Sequence, residues 1–285
     1  MNEDVQAEMR ADAKFSARPI ALTIAGFDPS CGAGITADLK VFAAHNIYGI
    51  ACITALTVQS SMGVKRVEPV APQTVRETLD DLLEDVLPNG VKVGMLATAD
   101  AVSKTAQFLA KSGIGRQRIV LDPVIRSSSG RELLSPEGVA ALRSELLPLV
   151  GWVTPNIEEL AVLAGSPASV REDVPDAAAR LQFLTSEGGN RDLHIVATGG
   201  HLDSVDDFLL TPNGKGQWVK GERVETQSTH GTGCAFSSAL LCQLIAGRSP
   251  EKAAMEAKAY VSAALKAAYP VGRGTGSMHH LFRLT

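Results

Sequence analysis

The chain contains no Cys-x-x-Cys pair. Its four cysteines, Cys31, Cys52, Cys234 and Cys242, are scattered, and only the last two stand near each other, eight residues apart on one expected helix. That spacing offers neither a zinc site nor a redox pair and reads as reduced thiols in a cytoplasmic protein. A block of basic charge is missing too: 27 Lys and Arg are intermixed with 31 Asp and Glu for a net charge of −4. This excludes the broad cationic surface that nucleic acid or an anionic membrane requires and points to a small-molecule partner. Nowhere is there an uncharged apolar run of about 18 residues, the length a membrane span needs. The longest candidate, Val41 to Val64, carries His45, Asn46, two glycines and Gln59. Residues 1–18 lack the apolar stretch of a secretory signal and read as a loose tail. No repeat, low-complexity block or proline-rich linker divides the remainder, so residues 19–285 are expected to form one domain, and with 45% apolar residues a sizeable core is available.

What is present is an alternation of strand and helix patterns. Ile20–Ala25 reads as a strand, residues 33–45 as a helix and the β-branched stretch Ile50–Val58 as a second strand. Pro72 opens a helix to about Val86, Val91–Met95 is a strand, Thr98 caps a helix to about Lys111, and Ile119–Asp122 is a strand again. Ser135-Pro136 starts the next helix, Trp152–Thr154 is a strand, and helices follow near 156–164 and 176–186. After a strand at His194–Thr198, the stretches Asp206–Leu210 and Gln217–Lys220 form a hairpin around Pro212-Asn213-Gly214, and two helices, about 232–247 and 250–268, close the chain. The fold class is therefore α/β, with a mainly parallel sheet covered by helices on both faces. Gly26, Gln59, Met95, Asp122, Asn156 and Gly199 fall at the carboxyl ends of the strands, where such sheets bind ligands.

Gly32-Ala33-Gly34-Ile35-Thr36-Ala37 fits the dinucleotide fingerprint. However, no Asp or Glu occurs from Leu39 to Val67 to hold a ribose, and the chain has no Gly-x4-Gly-Lys-Ser/Thr loop. A second glycine turn is more informative. In Thr229-His230-Gly231-Thr232-Gly233-Cys234 the glycines allow a tight turn, and Phe236, Leu240 and Leu244 recur at helical spacing after it. A helix N-terminus with free N–H groups and the positive end of the helix dipole suits phosphate or the charge of a phosphoryl transfer. Cys234 would stand in the first turn, where the dipole favours a thiolate near neutral pH. The structural alternative is a tight turn with a buried cysteine.

Taken together, Ala21–Ser30, Gly32-Ala33-Gly34, Ala37-Asp38-Leu39-Lys40, Thr54–Gln59, Val93-Gly94-Met95-Leu96, Leu121-Asp122-Pro123-Val124, Thr154-Pro155-Asn156, Thr229–Cys234 and Met278-His279-His280 resemble the hydroxymethylpyrimidine (phosphate) kinases of the ribokinase-like superfamily. The resemblance runs from Ala21 to Phe282. It implies an ATP- and Mg2+-dependent phosphotransferase of thiamine synthesis that acts on 4-amino-5-hydroxymethyl-2-methylpyrimidine and then on its monophosphate. Pyridoxine or pyridoxal kinase activity is the alternative within the superfamily, and a non-catalytic pyrimidine-binding regulator the alternative outside enzymes. A homodimer is the expected assembly.

The roles the resemblance implies are specific. The backbone of Gly231, Thr232, Gly233 and Cys234 would form an anion hole, with Cys234 placed as base for, or positioner of, the attacking hydroxyl. Gln59 would pair with the aminopyrimidine edge, and Gly26, Met95 and Val124 would wall the ring. Asn156, Thr198 and Gly200 would meet ATP, and Asp122 and Glu159 would position Mg2+. Asn156 with Glu159 also reads as an ordinary capping box, and Met95 as plain core. The relatives often have Lys-Gly-Gly-His where this chain has Thr198-Gly199-Gly200-His201, so a cation near the phosphates is replaced by a hydroxyl. His201 and His230 are candidate ring or phosphate neighbours. His279 and His280 are adjacent without an accompanying acid and suggest no metal pair.

Overall fold

The computed structural model describes residues 18–127, 129–200 and 204–284. The strands are β1 (Ile20–Phe27), β2 (Tyr48–Ser60), β3 (Gly63–Pro69), β4 (Gly90–Val93), β5 (Ile119–Leu121), β6 (Trp152–Val153), β7 (His194–Ala197), β8 (Asp207–Leu210) and β9 (Gly216–Val219). They lie in one sheet in the order β3-β2-β1-β4-β5-β6-β7-β8-β9. Pairings from β2 through β1 to β7 are parallel, while β3 and the β8–β9 hairpin are antiparallel. The helices are α1 (Gly34–Ala44), α2 (Pro72–Asp85), α3 (Ala99–Lys111), α4 (Pro136–Ala141), α5 (Ile157–Ala164), α6 (Val174–Glu187), α7 (Thr232–Ile245) and α8 (Pro250–Lys266). The α/β reading holds, and the strands and helices lie within a few residues of their expected positions. β3 was not expected: Ser61 and Met62 turn the long β2 back into a charged antiparallel edge strand.

The central strands are apolar on both faces, and alternate residues serve two separate cores. Leu22, Ile24, Val91, Val93, Ile119 and Leu121 pack with α2 to α6. Ala21, Val120, Trp152 and Val196 pack with α1, α7 and α8. Lys92 falls between Val91 and Val93, so the pleat points its side chain at the α1/α7 side, where it is fully buried. A bulge in β2 shifts the register between Ala25↔Ile53 and Gly26↔Ala55. The extra residue, Thr54, turns its hydroxyl onto the Met95 carbonyl at 2.5 Å and ties β2 to the chain after β4. Among the described residues no helix is long and apolar enough to cross a membrane.

Candidate active site

The carboxyl ends of the parallel strands converge on the N-terminus of α7. Gly231 caps that helix at φ +83°, a conformation that favours glycine, and no side chain caps it. A Cβ on Gly231 would overlap the carbonyl of Gly32, so the two glycine turns interlock through bare backbone. Gly233 differs: it is exposed, its φ is ordinary, and a Cβ there would meet open space. Among the described residues nothing requires glycine at 233. The first-turn amides are thus open to an anion, with the helix dipole behind them.

Beneath this helix lies a buried charge cluster that the sequence did not announce. Lys92 Nζ is 3.0 and 3.1 Å from the two carboxylate oxygens of Asp38 on α1, and 3.9 Å from Asp122 Oδ2. Asp38 also accepts from Thr23 Oγ1 at 2.6 Å and from Ser238 Oγ at 2.8 Å. Ser237 places its hydroxyl 3.2 Å from Asp122 Oδ2. Burial is the largest single influence and opposes the Lys92 ammonium, yet the surrounding acids, Asp38 foremost and Asp122 with it, together hold lysine above its ordinary value. Adjacent serines of α7 therefore reach two acids that share one buried lysine, fixing the helix over the sheet.

Burial likewise raises the Asp122 carboxyl, with Lys92 opposing and Asp38 adding to the rise. Glu159 is 6% exposed, and burial followed by the charge of Asp122 pushes it up to about 7. The capping box is confirmed: Glu159 N donates to Asn156 Oδ1 and Asn156 N donates to Glu159 Oε2, both at 2.9 Å. Glu159 Oε1 accepts from Ile125 N at 3.1 Å, which steadies the loop after Asp122, where Val124 sits at φ +31°. For a β-branched residue that φ is strained. Two buried carboxylates with raised proton affinity form an under-neutralised pair, a donor set suited to a hydrated hard cation.

One expectation is corrected. Burial pushes the Cys234 thiol up to about 12, Lys92 lowering it and Asp122 and Asp38 raising it further. Part of its surface is open, but protein surrounds the sulfur, and the thiol donates to Asp122. With its proton held this firmly, Cys234 is a neutral thiol at pH 7 and no preformed thiolate.

The remaining candidates fall into two groups. Gly26 lies against Met95, which packs in a small cluster with Val124, so three of the expected ring-wall residues come together. Met95 is also largely buried, as its core reading had it. Gln59 stands at the end of β2 with its amide 3.1 Å from His230 Nε2. On the other side, Asn156 bridges to Thr198, whose N–H donates to Pro155 O at 2.9 Å, and Gly200 is exposed with open space where a Cβ would be. Gly199 N donates to Asp207 Oδ1 at 3.0 Å, and Asp207 Oδ2 pairs with Lys258 Nζ on α8 at 2.8 Å. His201 lies outside the described residues, as do residues 1–17 of the expected tail. His280 is buried against Gly32 O, 3.2 Å from its Nε2, and belongs to the packing of the glycine turn.

Lys92, Asp38, Asp28, Ser237 and Ser238 went unsingled in the sequence. The available signal was charge or hydroxyl in otherwise apolar segments, such as Lys92 within Val91–Val93.

The chain is 41% identical over 264 residues to the hydroxymethylpyrimidine/phosphomethylpyrimidine kinase of Salmonella typhimurium, covering 91% of this chain and 96% of that one. Among solved structures it resembles the ADP complex of Bacillus subtilis pyridoxal kinase, with TM-score 0.82, 31% identity and coverage of 94% and 100%. It also resembles the phosphomethylpyrimidine kinase of Clostridium difficile, with TM-score 0.72, 32% identity and coverage of 86% and 98%. Residues 28–279 match the family model described as phosphomethylpyrimidine kinase, and the chain belongs to that family of kinases.

Proposed function

We propose that this protein transfers the γ-phosphoryl group of ATP to the hydroxymethyl group of 4-amino-5-hydroxymethyl-2-methylpyrimidine, and then a second phosphoryl group to the monophosphate. The observation that carries the reading is the uncapped N-terminus of α7 with Gly233 facing open space. It supplies backbone donors where negative charge builds on the moving phosphoryl group. Asn156, Thr198 and Gly200 meet the nucleotide, in line with the ADP held by the Bacillus subtilis relative. Asp122 and Glu159 are the residues that would hold Mg2+, and because both Glu159 oxygens already accept a backbone N–H they would do so through its waters. Bound there, the ion would supply charge neutralisation to the phosphates. The thiol of Cys234 positions the attacking hydroxyl instead of removing its proton, which a loose transition state tolerates.

Gly26, Met95 and Val124 wall the ring, and Gln59 addresses its aminopyrimidine edge. The continuous nine-stranded sheet supports reading residues 19–285 as a single kinase domain. The outer side of β2 exposes Ile53, Leu56 and Val58, which supports a homodimer. A cytoplasmic setting accords with four free cysteines.

A second reading, phosphorylation of pyridoxal, is favoured by the TM-score of 0.82 with a pyridoxal kinase. An ATP-consumption assay with hydroxymethylpyrimidine and pyridoxine in competition decides between the two. The pyrimidine is expected to dominate turnover; dominance of pyridoxine overturns the first reading, and no consumption with either leaves a binding protein.

A further inference from the structure

His230 immediately precedes the glycine turn, and its position is set from two sides. Its backbone N–H donates to Gly276 O at 3.0 Å, and the residue bridges to Ser277. Its Nε2 lies 2.8 Å from Asp28 Oδ2. Asp28 is itself immobilised: Oδ1 accepts from Ser30 N at 2.8 Å and Ser30 Oγ at 2.7 Å, and Oδ2 from Ala33 N at 2.9 Å and Gly32 N at 3.2 Å. The carboxylate is 3% exposed. Burial would raise its pKa, but the bonds from His230 and Ser30 prevail and hold it at about 2. A carboxylate only accepts, so the ring atom facing it must carry a proton.

That assignment decides the orientation of a third side chain. Gln59 is placed with Nε2 3.1 Å from the same His230 Nε2 and Oε1 3.2 Å from Thr57 Oγ1. The two ends exchange by a half-turn about the last side-chain bond, and their partners determine which faces where. With the NH2 toward His230, two donors would confront each other. Thr57 Oγ1 would also owe its single proton to both the Gln59 oxygen and Phe27 O, the latter 3.0 Å away. With the oxygen toward His230, every group is matched. His230 Nε2–H is shared between Asp28 and Gln59 Oε1, the Gln59 NH2 donates to Thr57 Oγ1, and Thr57 donates to Phe27 O.

We infer that the Asp28–His230 pair determines acceptor specificity by locking the Gln59 amide in one of its two orientations. So held, Gln59 keeps one N–H and one lone pair free in a fixed order. A ring edge is accepted only if its own donor and acceptor run in the complementary order. In a 4-aminopyrimidine these are an exocyclic amino donor beside a ring-nitrogen acceptor. The 4-oxo analogue presents the reverse, a carbonyl acceptor beside a ring N–H. Because His230 adjoins Gly231, the element that orients Gln59 is continuous with the turn that holds the phosphoryl charge. The inference rests on the proposed role of Gln59 in ring recognition. His230 and Asp28 are positioning residues that act through Gln59.

The test compares kcat/KM for 4-amino-5-hydroxymethyl-2-methylpyrimidine and for its 4-oxo analogue in wild type, His230→Leu and Thr57→Val. Releasing either end of the amide is expected to reduce the amino-to-oxo ratio about tenfold, the worth of one or two hydrogen bonds. Thr57→Val is nearly isosteric and serves if His230→Leu fails to fold. A ratio unchanged in a folded variant, even with both activities lowered together, overturns the inference and leaves His230 a structural residue. Wild type that phosphorylates neither pyrimidine contradicts the proposed function itself, a result distinct from an unchanged ratio.

Discussion

Lys92 and Asp38, 54 residues apart in sequence and both fully buried, form a two-oxygen ion pair beneath the N-terminus of α7. Removing one partner leaves an uncompensated charge in the core. Lys92→Met is therefore expected to destabilise the protein by roughly 3–5 kcal/mol, read from denaturant midpoints at unchanged m-value. Lys92→Met with Asp38→Leu is expected to recover part of that loss, because the Asp38 charge goes with the lysine and only Asp122 is left without its cation. A double variant no more stable than Lys92→Met alone would contradict this account of the cluster.

Cys234→Ala is expected to lower single-turnover phosphoryl transfer about tenfold at saturating substrate. Loss of a true general base costs about a hundredfold or more. Cys234→Ser should retain most of the rate, because a neutral hydroxyl can hold the acceptor as the neutral thiol does. A drop of a thousandfold in both variants would restore the thiol as base.

Two buried groups pull stability in opposite directions over one pH range. Burial lowers His280 from 6.5 to about 4, so below 6.5 the unfolded chain takes up the proton first, and this contribution to stability is lost as pH falls from 6.5 to 4. Glu159 is raised from 4.5 to about 7, so its contribution is present below 4.5 and is lost as pH rises to 7. Each amounts to roughly 3 kcal/mol, so these two contributions largely offset each other in the wild type. His280→Gln is expected to become less stable from pH 4.5 to 7, and Glu159→Gln more stable over that interval. Chemical unfolding at several pH values reads both slopes, and slopes of the same sign in the two variants would be inconsistent with these shifts.

Much of this was legible in the sequence wherever the determinants are local. The alternation of patterns specified the α/β sheet, and Asn156 with Glu159 specified a capping box that the structure reproduces atom for atom. β3 escaped because Lys65, Arg66 and Glu68 give Gly63–Pro69 the composition of a loop, while its strand state depends on pairing with β2. The Cys234 proton affinity was misjudged for a related reason. The helix terminus is visible in the sequence, whereas the burial of the thiol and its neighbours Asp38, on α1, and Asp122, just after β5, are not. Lys92 reads as a lone polar residue in a strand until the fold delivers Asp38, and the contact of Glu159 with Ile125 N spans 34 positions that no local pattern connects.

Gly233→Ala tests most directly the claim that the backbone of this turn serves the reaction. The site has an ordinary φ and open space for a Cβ, and alanine in a helix is favoured over glycine by up to about 1 kcal/mol, so Tm should be unchanged or higher. The added methyl intrudes on the transferring phosphoryl group, and kcat should fall about a hundredfold or more with pyrimidine KM within about threefold. A folded Gly233→Ala enzyme with wild-type kcat, or one that loses kcat only in proportion to lost stability, would contradict the account.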